Sequence, residues 1–228
     1  MRNLSEKIRY LGQNIAMDFR DAVEQYAEEP LTRQIMMDLL QDYQRPYDKI
    51  NELVKKGQLT PVKNGLYIPG PNTKTDKPEP FLVANHLRGP SYVSLEAALS
   101  FWGLIPERVF EISSVTTKTG KTYSTPLGRF SYFHAPLPYY AFGIKSVALT
   151  ARQVVLMASP EKALCDKIVM TSGILLRSAK QVQEFLIDDL RIDEEQLQEL
   201  NVKEIASWIV NAPKKNSLKL LIKMLGNL

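Results

Sequence analysis

The proline-rich stretch at residues 69–80, PGPNTKTDKPEP, constrains the fold of this chain more than any other feature. It offers almost nothing apolar to bury, and proline cannot continue a helix or occupy a central strand. The stretch therefore predicts a linker at residues 71–80 between a first domain at 1–70 and a second at 81–228. With 44% hydrophobic residues, the chain of 228 residues can supply a modest core to each domain.

Helical periodicity predicts three helices in the first domain. Apolar residues recur three and four positions apart from Ser5, a typical N-cap residue, to about residue 28. Thr32 is predicted to cap a second helix. A third helix is predicted to begin at Arg45-Pro46 and to end at Gly57, because proline suits a first helical turn and glycine a C-terminal cap. The predicted buried faces consist of Met36, Leu39, Leu40 and Tyr43 in the second helix, and of Tyr47, Ile50, Leu53 and Val54 in the third.

A hairpin is predicted directly after the third helix. Asn64-Gly65 is the strongest short hairpin signal, because a type I′ turn needs positive φ at both central positions. The flanking segments 59–62 and 66–68 are extended in character, and Pro61 favours an edge strand. Three helices followed by a small hairpin is the element order of a winged helix-turn-helix, so the first domain is predicted to have that fold.

The second domain is predicted to be an α+β domain with a helical C-terminal end. An extended segment is expected near 81–83, followed by a helix at 95–102 that Ser94 caps and Gly103 ends. Further strands are expected at 109–117, 122–124, 129–133, 139–144, 147–149 and 154–157. The turn residues between them indicate a mainly antiparallel meander. From Ser159 onward the pattern becomes helical.

Composition excludes several classes of protein. One cysteine, Cys165, leaves no internal disulfide framework and no multi-thiolate zinc site. No apolar run reaches the length of a membrane span, and the N-terminal MRNLSEKIRY lacks the apolar core of a signal peptide. The protein is therefore expected to be cytoplasmic, with no membrane partner. Its net charge of +4 permits binding to nucleic acid without indicating it.

Catalytic signals are weak along the chain. Gly120-Lys121-Thr122 resembles the end of a phosphate-binding loop, but that motif needs a glycine where Val115 stands. A turn between two strands is the favoured interpretation. Cys165 has no activating histidine close in sequence, so packing in a core is favoured over nucleophilic attack.

Signals for a metal site are equally weak. His86 and His134 are far apart, and no Cys, His or Asp spacing around either of them indicates a ligand set. Asp188 and Asp189 are adjacent in a predicted helix, where neighbouring side chains diverge by about 100° and rarely chelate together. The protein is therefore not expected to be an enzyme, and neither a metal nor a cofactor is expected.

The third helix and the hairpin carry the candidate DNA-binding residues. If the predicted apolar stripe faces the core, basic and amide side chains face outward, where they can bind phosphates and base edges. The candidates are Arg45, Lys49, Asn51, Lys55, Lys56 and, on the wing, Lys63. Lys49, Asn51 and Lys55 are the leading candidates for the major groove. Asp48 and Glu52 oppose this hypothesis because carboxylates repel the DNA backbone, and a winged helix that only contacts protein is the alternative.

A second basic set lies in the middle of the chain. It consists of Lys118, Lys121, Arg129, Lys145 and Arg152, with tyrosines interleaved. Such a set is compatible with a second nucleic-acid surface, with a face for an acidic partner, or with an ordinary solvated sheet face. A protein-interaction module that docks a toxin or another acidic partner through this basic sheet, without specific DNA binding, is therefore the alternative function.

Four blocks of the second domain occur in a familiar order. They are SLEAAL at 94–99, GLIP at 103–106, GRFSY at 128–132 and SPEKAL at 159–164, and the wing contributes GLYIPGP at 65–71. With these blocks the chain resembles the AbiEi-type antitoxins, the regulator halves of abortive-infection toxin–antitoxin pairs in bacteria. The resemblance spans about residues 30–170.

This resemblance implies a winged-helix domain that binds operator DNA at repeated sites and represses its own operon. It also implies a C-terminal domain that counters a toxin with a nucleotidyltransferase-like fold, without requiring a stable complex. A homodimer is a candidate assembly on repeated sites. The resemblance adds no catalytic residues.

Overall fold

The computed structural model describes residues 19–228. Its contacts divide the chain into two compact units, with the boundary between Lys77 and Pro78. Helices and strands occur in both units, so the chain is an α+β protein, and its C-terminal end is helical as expected. Among the described residues, no helix combines the length and the apolar character that a membrane span requires.

The first unit contains three helices and a three-stranded sheet in its described part. In chain order the elements are α1 (Phe19–Glu24), β1 (Leu31–Thr32), α2 (Arg33–Leu39), α3 (Pro46–Lys55), β2 (Leu59–Lys63) and β3 (Leu66–Pro69). The central strand is β3, and both β1 and β2 pair with it antiparallel. The helix α1 ends earlier than the sequence predicts, and Glu28 already has a φ of 67°. The predicted N-cap, Ser5, lies outside the described residues.

Local chemistry fixes both ends of α3. Pro46 stands in its first turn, as predicted. At the other end Gly57 has a φ of 67°, which glycine adopts without steric cost. The N–H of Gly57 donates to the carbonyl of Val54 at 3.0 Å, and that of Gln58 donates to the carbonyl of Leu53 at 2.9 Å. These bonds satisfy carbonyls that a helix end leaves open, and the chain reverses there into β2.

The core of the first unit is apolar and draws on every helix. It includes Phe19, Val23, Leu31, Met36, Leu40, Ile50, Leu53 and Leu59. The predicted cap of α2 is confirmed, since the Thr32 hydroxyl accepts from the N–H of Ile35 at 3.4 Å. Tyr43, predicted to be buried, is instead 38% exposed, because it follows the end of α2 and not the helix itself.

The predicted linker is only partly a linker. Asn72 donates its backbone N–H to the Gly57 carbonyl at 2.8 Å and its side-chain amide to the Lys56 carbonyl at 2.7 Å. The carbonyl of Asp76 accepts from the N–H of Glu28 at 3.0 Å. Hydrogen bonds to backbone groups can therefore hold a polar segment in place without burial of apolar side chains. The segment up to Lys77 belongs to the first unit.

The second unit is built on a six-stranded sheet with the strand order β6-β7-β5-β4-β9-β8. Its strands are β4 (Ser91–Val93), β5 (Glu111–Thr116), β6 (Lys121–Thr125), β7 (Gly128–His134), β8 (Ile144–Ala148) and β9 (Val154–Ala158). Its α-helices are α4 (Pro80–Leu87), α5 (Leu95–Phe101), α6 (Pro160–Met170), α7 (Ala179–Gln183), α8 (Glu194–Gln198), α9 (Val202–Trp208) and α10 (Lys215–Leu225). Short 3₁₀ segments occur at Tyr139–Ala141 and Ile209–Asn211, and a π-helical segment at Glu184–Asp189.

The sheet is mixed and not the predicted meander. Three of its pairings are antiparallel, but β5 with β7 and β4 with β9 are parallel. One parallel pairing involves β4, a strand of three residues that the sequence did not predict and that lies between β5 and β9. The other arises because β7, and not β6, lies beside β5. Antiparallel pairing still predominates, as expected.

Two predicted strands are helical. The segment 81–83 lies in α4, which Pro80 begins and which buries Leu82, Val83 and Leu87. Short apolar runs fit a helix as well as a strand, so periodicity could not decide between them. The segment 139–144 begins as a 3₁₀ turn at Tyr139–Ala141, and its strand starts only at Ile144.

A fully buried ion pair lies inside the second unit. Lys162 and Asp166 stand one turn apart in α6, and both have a relative exposure of 0%. Their Nζ and Oδ1 atoms are 3.0 Å apart. The carboxylate also accepts from the hydroxyls of Tyr92, Ser94 and Tyr139 at 2.9, 2.7 and 2.8 Å. The ammonium donates in addition to the Tyr139 carbonyl at 2.9 Å, so both charges have several partners. Ser94 does precede α5, but its hydroxyl binds Asp166 and not the helix end that it was predicted to cap.

Removing one partner of this pair should strongly destabilise the second unit. Asp166→Ala leaves the Lys162 ammonium buried without its counter-charge and three hydroxyls without their acceptor. We expect a loss of about 3–5 kcal/mol in the free energy of unfolding, measured by urea denaturation with tryptophan fluorescence. Asp189→Ala, at an exposed carboxylate, is the matched control and should change it by less than about 0.5 kcal/mol. Equal effects of the two substitutions would contradict the assigned role.

Alkaline pH should destabilise the second unit. Burial, reinforced by Asp166, raises the pKa of Tyr92 and Tyr139 well above the ordinary 10.0, and burial raises the pKa of Cys165 from 9.0 to about 12. Unfolding lets these groups release protons that the folded state retains. Their stabilising contribution is therefore complete below pH 9 and is lost as the pH rises toward 12. Lys162 and Lys214 oppose this trend, because burial lowers their pKa, whereas burial also raises the pKa of Tyr132 and Tyr140 and so reinforces it.

The measurement is urea denaturation from pH 8 to 12, combined with tyrosinate absorbance. We expect the free energy of unfolding to decrease with pH, and part of the tyrosinate signal to appear only with unfolding. Ionisation of all ten tyrosines near pH 10 in the folded protein would contradict this expectation.

Candidate nucleic-acid interface

The outer face of α3 is the most accessible helical surface that the sequence analysis singled out. Ile50 and Leu53 anchor the inner face, with exposures of 4% and 1%. Residues on the opposite side are exposed and follow one another at helical spacing. They are Tyr47, Asp48, Asn51 and Lys55. Two of the three leading candidates, Asn51 and Lys55, therefore face outward.

Tyr47 corrects the predicted apolar stripe. It is 51% exposed, although the helical pattern assigned it to the core. Its hydroxyl accepts a hydrogen bond from the guanidinium of Arg33, at the start of α2, whose central carbon lies 5.5 Å from the Tyr47 ring centroid. A tyrosine with a polar partner at the surface does not need to be buried. Val54, the other end of the stripe, is only partly buried.

Lys49 lies on the flank of the helix and not at its outermost position. Its side chain is 20% exposed, and its ammonium lies 5.2 Å from the centroid of the Tyr43 ring. It also donates to Glu52 at 3.1 Å. These contacts orient Lys49 away from the line formed by Asn51 and Lys55.

Carboxylates offset most of the basic candidates on α3. Glu52 pairs with both Lys56 and Lys49, and hydrogen bonds from these two lysines lower its pKa. Arg45 lies 3.8 Å from Asp48, with both side chains largely exposed. Lys55 has no ion pair among the described residues and is exposed. Since exposed pairs are weak, an incoming phosphate can compete for these lysines, but Lys55 needs no such exchange.

The hairpin has the predicted position with a different turn. Lys63 and Leu66 are paired across Asn64-Gly65. Only Gly65 has a positive φ, of 77°, and the register shifts between Pro61 and Lys63. A type I′ turn needs positive φ at both central residues, so the turn is of another type, and the irregularity in the register lies in β2 before it. Lys63, the wing candidate, is partly exposed.

The second basic set is spread across the full width of the sheet. Lys121 lies on β6 and Arg129 on β7, whereas Lys145 lies on β8 and Arg152 follows it. The strands β6 and β8 are opposite edges of the sheet, roughly 24 Å apart at normal strand spacing. Lys118, which precedes β6, donates to the Gly89 carbonyl. The set thus divides into two groups because the strand order does not follow the sequence.

One basic residue of this set and two of its tyrosines already have contacts within the second unit. Arg129 lies 3.3 Å from Glu111, which offsets its charge. Two of the interleaved tyrosines, Tyr132 and Tyr139, are buried, with exposures of 3% and 0%. They therefore contribute to the core and not to a stacking surface.

The remaining chemical candidates are dispersed. The Gly120-Lys121-Thr122 segment runs directly into β6, so it has no helix after it that could hold a phosphate. Cys165 is buried with a pKa raised to about 12, as expected of a core thiol. His134 shares a 3.2 Å contact with the Lys118 carbonyl. Within residues 19–228, no group of His, Cys, Asp and Glu is arranged to hold a metal ion.

Comparisons with known proteins support the fold. No protein-family model and no curated protein matches the sequence. Among solved structures, the chain is similar to the RV2827C protein from Mycobacterium tuberculosis, with a TM-score of 0.61 and 13% sequence identity. The similarity covers 92% of this chain and 77% of that chain. At this level of identity it supports the α+β architecture and carries no information on function.

Proposed function

We propose that the protein is a cytoplasmic, DNA-binding autorepressor and antitoxin of a bacterial toxin–antitoxin operon. The first unit supports this proposal through its element order of helix, strand, helix, helix and hairpin, and through the strand order β1-β3-β2. This order supports a winged helix-turn-helix, in which α3 would take the place of the recognition helix.

The observation that carries the proposal is the exposed outer face of α3. With ten residues the helix is about 15 Å long, and the major groove of B-DNA, about 12 Å wide, admits a helix. Asn51 can bind an adenine edge, and Lys55 can bind a phosphate or a guanine. Lys63 on the wing is the candidate for a contact with the backbone.

The antitoxin role follows from the resemblance to the AbiEi-type family. The SLEAAL and SPEKAL blocks begin α5 and α6, and the Ser94 hydroxyl of the first block donates at 2.7 Å to Asp166, which follows the second block in α6. These blocks therefore support a common core for the second unit. The partner expected by resemblance is a nucleotidyltransferase-like toxin, which the antitoxin counters without a stable complex.

Docking of an acidic partner through a basic sheet is less well supported. The strand order puts Lys121 and Lys145 at opposite edges of the sheet, so a partner that contacts both would have to span all six strands. No other observation favours it over DNA binding.

The proposal is tested by binding to the duplex upstream of the protein's own gene. Fluorescence anisotropy should give tighter binding to this duplex than to a scrambled duplex of equal length, and the affinity should decrease as salt increases. Coexpression with the product of the neighbouring gene should relieve its toxicity. Equal affinity for both duplexes would overturn the repressor assignment, and persistent toxicity would overturn the antitoxin assignment.

Lys55→Ala should weaken binding to the specific and the scrambled duplex by the same factor. If Lys55 neutralises one phosphate, the slope of log K against log salt concentration should become shallower by about 0.9. An unchanged slope would show that Lys55 does not contact the backbone.

Glu52→Gln should act in the opposite direction. The substitution keeps the shape of the side chain but removes the charge that offsets Lys49 and Lys56. Affinity for both duplexes should increase at low salt, measured by the same anisotropy titration. Glu195→Gln changes an exposed carboxylate of the second unit and should have no effect. Weaker binding of the Glu52 variant would contradict the assigned position of α3 on DNA.

A further inference from the structure

We propose that Arg33 and Tyr47 together form a clamp for one phosphate of duplex DNA, beside the groove that α3 enters. The inference rests on the proposed function and names a contact that the candidate residues from the sequence do not include. Its starting point is the hydrogen bond from the Arg33 guanidinium to the Tyr47 hydroxyl, which joins the start of α2 to the outer face of α3.

The pair has unused donors. A guanidinium carries five N–H groups, and Arg33 donates one of them to Tyr47; no other partner occurs among the described residues. The Tyr47 oxygen accepts this bond, so its own proton remains available to a further acceptor. Donors of two kinds thus converge at an exposed point, which suits the several acceptor oxygens of a phosphodiester.

Charge distinguishes Arg33 from the basic residues of α3 other than Lys55. Arg45 pairs with Asp48, and both Lys49 and Lys56 pair with Glu52. Within the part of the chain that the structure describes, Arg33 has no carboxylate partner, and its only polar contact is with a neutral hydroxyl. Its full positive charge is therefore available to an anion.

The position of the pair matches a contact with the backbone. A Cβ placed on Gly65 would lie 3.5 Å from the Cβ of Arg33, so the turn of the wing lies directly beside it. Tyr47 belongs to the same outward line as Asn51 and Lys55. The clamp therefore lies between the recognition helix and the wing, where a phosphate at the rim of the groove would be found. Tyr47 holds the planar guanidinium in place before DNA arrives, which reduces the ordering required on binding.

The test measures the affinity of the full chain for the operator duplex and for a scrambled duplex across a salt series. Arg33→Ala should weaken both by about tenfold and make the salt slope shallower by about 0.9. Tyr47→Phe should weaken both by a smaller factor with an unchanged slope, because it removes a donor and no charge. Arg33→Lys should keep the slope and lose part of the affinity, because it keeps the charge without the guanidinium fork. Lys219→Ala removes one exposed charge from the second unit and should leave both quantities unchanged.

The outcomes separate this inference from the proposed function. If the unaltered protein binds neither duplex, the proposed function fails, and the clamp fails with it. If that protein binds but Arg33→Ala, with an unchanged melting temperature, retains its affinity and slope, only the clamp is overturned. A loss confined to the operator duplex would also overturn it, because that result would indicate contact with a base and not with a phosphate.

Discussion

The carboxylate of Asp166 ties the second unit together. It accepts hydrogen bonds from the hydroxyls of Tyr92 in β4, of Ser94 directly after that strand and of Tyr139 in the 3₁₀ segment. It also forms an ion pair with Lys162 in its own helix. A buried charge that lacks its partners costs several kcal/mol. This one acceptor therefore links β4, which lies between β5 and β9, to α6, which follows β9.

The first unit depends on a different balance. Its interior is apolar, and its charges are concentrated on α3, where Glu52 and Asp48 offset neighbouring cations along the helix. Pairing at the surface thus offsets the charge of these basic residues locally. Any affinity for DNA would depend most on exposed cations such as Arg33 and Lys55, which have no carboxylate partner among the described residues.

Sequence predicted the elements whose signals are local. Pro46, Gly57 and Asn64-Gly65 mark the ends of α3 and the hairpin turn, and each acts on backbone within a few residues. Tyr47 was assigned wrongly because its partner, Arg33, is 14 residues away and no helical pattern includes it. Two of the hydrogen-bond donors to Asp166, Ser94 and Tyr92, are 72 and 74 residues away in the sequence, so no spacing rule identifies them. The spread of the second basic set across the sheet could not be predicted for a related reason, since pattern gives strands but not their order.

The Asn72 side chain closes the last turn of α3 from 16 residues farther along the chain, beyond the hairpin. The end of α3 is therefore completed by a segment that composition alone would assign to a linker. A fragment that ends at residue 70 would leave the Lys56 carbonyl exposed to solvent. It would also lack the segment from Asn72 to Asp76, which connects the end of α3 to Glu28 by hydrogen bonds. Residue 77 is thus the physically sensible place to separate the two halves.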